Sequence, residues 1–247
     1  MKLIKSFKEH SLHIILILIC GITLGSVGAG ILVQHNSYIE AVDRYLYELI
    51  HHNNHYPIID LLITPFNYNF LPPELSPGRM PSYYYFMFLL PLIYLIIYKR
   101  NLVPWYIFSF ITGTLLAMAV TALDWHFVFR ERPFEALPSY VDHIGQSAWK
   151  NLSSFPSGHA RETALYATLI AGFIKKLKWP MVIFIIFIAY SRVYIGAHYV
   201  TDVLAGAIIG YLTAVTTLII SRELQLISQK RRGDQDHTTK PKNEKNR

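Results

Sequence analysis

Residues 191–220 read Ser191-Arg-Val-Tyr-Ile-Gly-Ala-His198-Tyr-Val-Thr-Asp202-Val-Leu-Ala-Gly-Ala-Ile-Ile-Gly-Tyr-Leu-Thr-Ala-Val-Thr-Thr-Leu-Ile-Ile220. From Tyr199 onward the run is apolar and long enough to cross a bilayer as a helix, which takes about 20 residues. Yet Asp202 stands inside it, and Arg192 and His198 stand at its border. Hydrocarbon tolerates ionisable groups poorly, so a chain that gathers several at one depth points to a functional site there. The span and the charges at its edge organise the reading of everything else.

Five further apolar runs precede it: Leu12–Val33, Tyr83–Tyr98, Val103–Leu123, Gly158–Ile174 and Trp179–Ile195. The 247 residues are 52% hydrophobic and only 16% charged, with a mean hydropathy of +0.28. Soluble domains carry about 25% charge. Six spans occupy about half the chain and leave little for a separate soluble domain. The expected fold class is therefore all-α, an integral membrane bundle of six transmembrane helices. The first run resembles a signal peptide but is longer than the usual signal core, so it is expected to remain as a span. The single cysteine, Cys20, lies inside that run, which excludes an intrachain disulfide framework.

Of the 23 Lys and Arg residues, sixteen fall in segments 1–10, 99–101, 175–178 and 222–247. By the positive-inside rule these face the cytoplasm, with both termini, and segments of about 34–81 and 124–157 lie outside. The net charge of +7 is thus explained by orientation and by contact with anionic lipid at the inner face, and calls for no nucleic acid. Residues 1–10 form a basic N-terminal segment, 11–221 the six-span domain, and 222–247 a basic tail expected to be disordered beyond Arg231. In the first outside segment Ile39, Val42, Leu46, Leu49 and Ile50 recur at helical spacing beside Glu40, Asp43 and Glu48, which predicts an amphipathic helix on the membrane surface. The proline-rich stretch from Pro65 to Pro81 reads as a loop. His51, His52 and His55 include an i,i+4 pair, read as a polar stretch of that loop rather than a metal site.

On this topology His159, Arg192, His198 and Asp202 share one depth at the outer border, within reach of the loop carrying Arg130 and Arg132. Three arginines and two histidines with one carboxylate make a cationic pocket, not the oxygen-rich cage that Mg²⁺ or Ca²⁺ requires. No metal and no cofactor is expected. Guanidinium forks match phosphate oxygens and keep their charge when desolvated. Pro156-Ser157-Gly158-His159 precedes an apolar helix whose first amides favour an anion, and Gly158 permits close approach. His198 and Asp202 are four residues apart, on one face if helical. The carboxylate would then fix the imidazole tautomer and leave the other nitrogen free to attack, with His159 as the acid.

The segments Arg130-Glu-Arg132-Pro133, Pro156-Ser157-Gly158-His159 and Ser191-Arg192-Val-Tyr-Ile-Gly-Ala-His198-Tyr-Val-Thr-Asp202 resemble, in order and spacing, the three signature motifs of the type 2 phosphatidic acid phosphatase (PAP2) and vanadium haloperoxidase superfamily. The six-span layout is similar to its membrane lipid phosphatase branch. The resemblance implies that His198 forms a phosphohistidine oriented by Asp202, that His159 protonates the leaving oxygen, and that Arg132, Arg192, Ser157 and the Gly158 amide hold the phosphate. One position departs. The first motif usually opens with a lysine seven residues before its second arginine, and Trp125 stands there. Arg130 and Arg161 are the candidate substitutes. Asp124, His126 and Glu162 are further border candidates for the site, Glu162 by pairing with Arg192 or Arg130.

The expected function is a metal-independent lipid phosphatase at the outer face of a bacterial-type plasma membrane. Its expected substrates are polyprenyl diphosphate first, then phosphatidic acid or phosphatidylglycerol phosphate, then lipid A. The alternatives are a lipid phosphotransferase using the same intermediate, and a non-catalytic lipid-binding or transport protein. Oligomeric state is not legible in the sequence.

Overall fold

The computed structural model describes residues 2–52, 56–67, 83–137 and 153–239, which form helices and no strand. In chain order these are α1 (Lys2–His35), α2 (Ser37–Tyr47, continued by a π-helical turn Glu48–His52), α3 (Pro57–Asn67), α4 (Tyr83–Tyr98), α5 (Val103–Phe127), α6 (Pro133–Ala136), α7 (Gly158–Phe173), α8 (Lys178–Tyr194) and α9 (Val200–Thr239). Among the described residues, four helical stretches are long and apolar enough to cross a membrane: Leu12–His35, Arg100–Phe127, Lys175–Tyr194 and Val200–Lys230. Pro57–Phe66 and Tyr83–Tyr98 are apolar but shorter.

Neither α4 nor α7, read as the second and fourth spans, is among them, each being 16 residues long; α7 is also the less apolar of the two, as its position explains. It lies at the centre of the bundle, with Ala160, Thr163, Ala164, Leu165, Tyr166, Ala167, Leu169 and Ile170 all buried. A helix enclosed by protein answers to its neighbours' shapes, so small and polar residues replace the lipid-facing leucines of an outer span. Around it packs an aromatic core in which Phe110 of α5 stacks on Tyr166 at 4.6 Å, with Tyr84 edge-on to Tyr166 at 5.4 Å.

The closest helix pairing is α7 on α9, and two glycines make it. A β-carbon at Gly206 would overlap the Ser157 carbonyl, and one at Gly210 the Arg161 carbonyl. Gly206 and Gly210 are four residues apart and present one bare strip of α9 to the first turns of α7, the small-xxx-small solution to close helix approach. The Ser157 amide uses this access to reach the Asp202 carbonyl at 3.0 Å. The second and third motifs are thereby joined backbone to backbone. The first span, α1, is built into the bundle too: Ile22 packs with Val120 and Ile209.

The helix expected at 39–50 forms at 37–47 and docks on the bundle through Asp43 and Tyr47, both buried, while Val42 and Leu49 are exposed. A carboxylate with buried cationic partners is better inside than its apolar neighbours are. Pro65, placed in a loop, lies within α3. It falls in the last turn, where only its missing bond to Leu61 is lost and Pro57 at the first position is already tolerated. The tail read as disordered beyond Arg231 continues α9 to Thr239, since no proline interrupts it before Pro241. Residues 68–82, 138–152 and 240–247, with Arg79 and Lys150, lie outside the described residues, as does His55.

The glycine strip gives a direct test. Gly210→Ala should destabilise the bundle by about 1–3 kcal/mol, because backbone cannot yield as a side chain can. Gly25→Ala in α1, where a β-carbon would meet nothing within 4 Å, should hold or raise the melting temperature measured in detergent. Equal melting of the two variants would show that α7 and α9 are not joined in this way.

Candidate active site

The spacing of the third motif is a helix stop followed by a helix start. Gly196 takes a left-handed φ of 77°. The Gly196 amide bonds the Val193 carbonyl at 2.9 Å and the Ala197 amide the Arg192 carbonyl at 3.1 Å. That pair of bonds is a Schellman motif, which ends α8 and for which glycine carries least strain. The His198 amide also reaches the Arg192 carbonyl, at 3.3 Å, so the turn delivers His198 back over Arg192. One residue on, α9 begins. Asp202 in its first turn accepts the Tyr199 amide at 3.0 Å, the reciprocal half of a capping box.

Arg130 is held between two buried carboxylates, 2.7 Å from Asp202 and 2.7 Å from Asp43 of α2. It also donates to the Thr201 hydroxyl at 3.0 Å and lies over the Tyr199 ring at 4.1 Å. Burial works against its charge, but Asp202 and Asp43 outweigh that and hold its pKa above the ordinary arginine value. Asp43 in turn accepts the Thr201 amide at 3.0 Å and the Thr201 hydroxyl, capping α9 from another helix. The Arg130 backbone laces onto the chain before the second motif, its carbonyl accepting the Ser154 amide at 2.7 Å.

His198 is buried in the turn between α8 and α9. Its Nδ1 lies 2.8 Å from the Ser154 carbonyl, an atom that can only accept, so Nδ1 carries the proton. Burial first, and then the charges of Arg132 and Arg192, keep its pKa well below the usual histidine value. The ring is therefore neutral, with the Nε2 lone pair facing Arg132 at 3.3 Å. The Arg132 guanidinium also donates to the carbonyls of Ala197 and Ser153 at 3.1 and 3.3 Å. Burial pushes its pKa down to about 10, which leaves it charged at neutral pH. Ser157 is the N-cap of α7, yet its buried hydroxyl makes no capping bond and has no partner among the described residues. An N-cap serine normally accepts from the helix amides; here hydroxyl and amides alike are available to an anion. A β-carbon on Gly158 would meet only the Arg161 guanidinium, 3.9 Å away, so space lies open above the helix end.

The structure thus gathers His198, Arg132 and the Ser154–Ser157 strap, with Arg192 below the turn and His159 on the first turn of α7. It differs from the sequence reading at two residues. Asp202 does not bond His198. It accepts from the Ser154 hydroxyl at 2.5 Å, and Ser154 in turn holds the imidazole. His198 precedes the first turn of α9, so the helical i,i+4 geometry does not apply to it. Arg130, expected in the phosphate clamp, is paired with two carboxylates that meet its charge. Arg161 bonds Thr121 and, at 3.0 Å, Glu162, which pairs there and not with Arg192 or Arg130, while its buried Nε has no hydrogen-bond partner among the described residues. Trp125 points outward, 62% exposed. Asp124 is buried against Ser26 of α1 at 2.7 Å, His126 is exposed, and His51 is buried with Nδ1 against the Tyr194 carbonyl at 2.8 Å. Asp43 and Ser154 were the residues the sequence reading missed. Asp43 carried only the ambiguous signal of a charge on an amphipathic helix, and Ser154 that of a serine-rich turn.

Residues 107–225, which contain all three motifs, match the family model described as PAP2 superfamily. Over 131 residues the chain is 29% identical to the bacitracin transport permease protein BcrC of Bacillus licheniformis, covering 53% of this chain and 61% of that one. Over 108 residues it is 27% identical to the undecaprenyl-diphosphatase BcrC of Bacillus subtilis, covering 43% and 52%. The chain therefore spans about half to three-fifths of the length of these curated relatives. Its fold is similar to the crystal structure of a transmembrane PAP2-type phosphatidylglycerolphosphate phosphatase from Bacillus subtilis, with a TM-score of 0.60 at 19% identity, over 84% of this chain and 97% of that one.

The Arg130 bracket predicts a specific fragility. Asp43→Ala leaves a buried guanidinium half-paired and should cost on the order of 3 kcal/mol, seen as a lowered melting temperature. Val42→Ala, one residue away and exposed, should stay within about 0.5 kcal/mol. Wild-type melting of Asp43→Ala would show that α2 is not latched through this pair.

Proposed function

We propose that this chain, which belongs to the PAP2 superfamily, is a membrane lipid phosphatase that works through a phosphohistidine at His198. The observation that carries the proposal is the placement of His198, its Nδ1 against the Ser154 carbonyl and its Nε2 turned toward Arg132. Nε2 attacks phosphorus, the P–N bond forms as the P–O bond to the lipid breaks, and His159 gives its proton to the departing oxygen. His159 then takes a proton from water, whose oxygen displaces His198 and releases phosphate. Arg132, Arg192, the Ser157 hydroxyl and the first amides of α7 hold the phosphoryl oxygens and stabilise the charge that spreads over them. Arg130 and Asp202 serve this arrangement from behind, by fixing the strap and the start of α9. The donor set is cationic, so the reaction requires no metal in this scheme.

The substrate we favour is a polyprenyl diphosphate, followed by phosphatidylglycerol phosphate or phosphatidic acid and then lipid A. The named activity of the Bacillus subtilis undecaprenyl-diphosphatase supports that order. A site at the end of apolar helices suits a phosphate on a lipid anchor that enters from the bilayer. The lysine- and arginine-rich segments gather at the opposite end of the bundle, where Lys99, Lys175 and Arg222 line one cavity. We therefore place the active site at the outer face, with both termini cytoplasmic.

Phosphate release from a panel of purified lipids, with EDTA present, tests the reading. Wild type should hydrolyse at least one of them. His198→Ala should abolish turnover, and Ser157→Ala should lower kcat roughly 100-fold, the usual cost of one donor to a developing anion. Activity that depends strictly on added Mg²⁺, or that survives in His198→Ala, would overturn it. Because the pKa of His198 is lowered, its neutral form persists on acidification, so the acid limb of kcat/KM should lie well below pH 6.5. Removing a charge that lowers that pKa, as in Arg132→Gln, should move the limb to higher pH.

A further inference from the structure

At the end of the bundle away from His198, a cavity of about 660 Å³ lies among the ends of α4 and α7 and the middle of α9. Its rim carries Lys99, Lys175, Lys176 and Arg222, its wall includes Phe173 and Leu218, and among the described residues no carboxylate lines it. None of the four cations forms an ion pair among the described residues. Two helices end here, and their C-terminal dipoles supply about half a negative charge each. Four full positive charges exceed that several-fold. Clustered like charges of this kind are stabilised by an anion, and the apolar wall beneath them suits one that carries a hydrocarbon chain.

We propose that this cavity binds one anionic phospholipid, its phosphate among Lys99, Lys175, Lys176 and Arg222 and its acyl chain along Phe173 and Leu218. The volume is that of a ligand pocket, typically about 300–1,000 Å³, and fits a head group with the upper part of its chains. Cationic pockets between membrane helices hold lipid phosphates in this manner. The site contains no residue of the proposed catalytic machinery and stands whether or not the lipid phosphatase reading is correct.

The test uses the full chain in neutral detergent, titrated with phosphatidylglycerol, phosphatidylcholine or inorganic phosphate. Bound lipid is counted by native mass spectrometry and stabilisation is read from the melting temperature. Phosphatidylglycerol should bind one to one and raise the melting temperature, and phosphatidylcholine and inorganic phosphate should not. The double variant Lys175→Gln/Lys176→Gln should bind phosphatidylglycerol roughly 30-fold more weakly, about fivefold for each charge removed, and should hydrolyse lipid at the wild-type rate. Leu218→Trp, which fills the cavity and keeps every cation, should weaken the same response, so the outcome does not depend on one variant folding. His198→Ala should retain the full response. Equal stabilisation by phosphatidylcholine or by inorganic phosphate, or an undiminished phosphatidylglycerol response in both cavity variants, would overturn the proposal.

Discussion

The buried contact of Arg130 with Asp43 and Asp202 is the constraint on which the rest of the site depends. A guanidinium this enclosed is stable only if its charge is met, and an enclosed carboxylate has the same requirement. The two requirements are solved together, and the solution ties three distant parts of the chain: α2, the strap before α7, and the first turn of α9. Asp43 brings α2 down onto the bundle, and Asp202 fixes the start of the helix that follows His198. Arg130 therefore shapes the site from behind, its charge met by carboxylates. The neighbouring Arg132, two residues away, bonds backbone carbonyls and faces the imidazole.

A second constraint acts on the backbone. His198 keeps its place because α8 must stop at Gly196 and α9 must start at Tyr199, and each event is specified by its own hydrogen bonds. The second motif keeps its place because Gly206 and Gly210 leave room for it on α9. A spacing that looks arbitrary as a pattern of letters is thus the shortest chain that ends one helix, turns, and caps the next. Chemistry and architecture share residues here. Asp202 is at once a cap, half of a buried ion pair and the acceptor that sets Ser154.

The helical class was legible because it rests on local rules: apolar runs, charge at span borders, and turn residues before a helix. Pairings between distant segments were not. Asp43 was visible as a polar position on an amphipathic helix, and nothing local distinguishes a carboxylate that faces water from one that faces Arg130. The assignment of Asp202 to His198 failed for a related reason, since it assumed a helix one turn before α9 begins. Six spans were expected and four helices are long and apolar enough among the described residues: α4 and α7 have 16 residues each, and the enclosure of α7 also removes the apolar surface by which spans are recognised. Gly206 and Gly210 lay in plain view as a small-residue pair, with a meaning that depended on which helix would lie against them.

The central claim is that Nε2 of His198 carries the phosphoryl group, because Nδ1 is committed to the Ser154 carbonyl. Rapid alkaline quench of enzyme turning over a ³²P-labelled lipid, followed by amino-acid analysis, tests this most directly. The account predicts an alkali-stable, acid-labile label recovered as 3-phosphohistidine, substituted at Nε2, and absent from His198→Ala. Label recovered as 1-phosphohistidine, substituted at Nδ1, or on a serine or a carboxylate would contradict it.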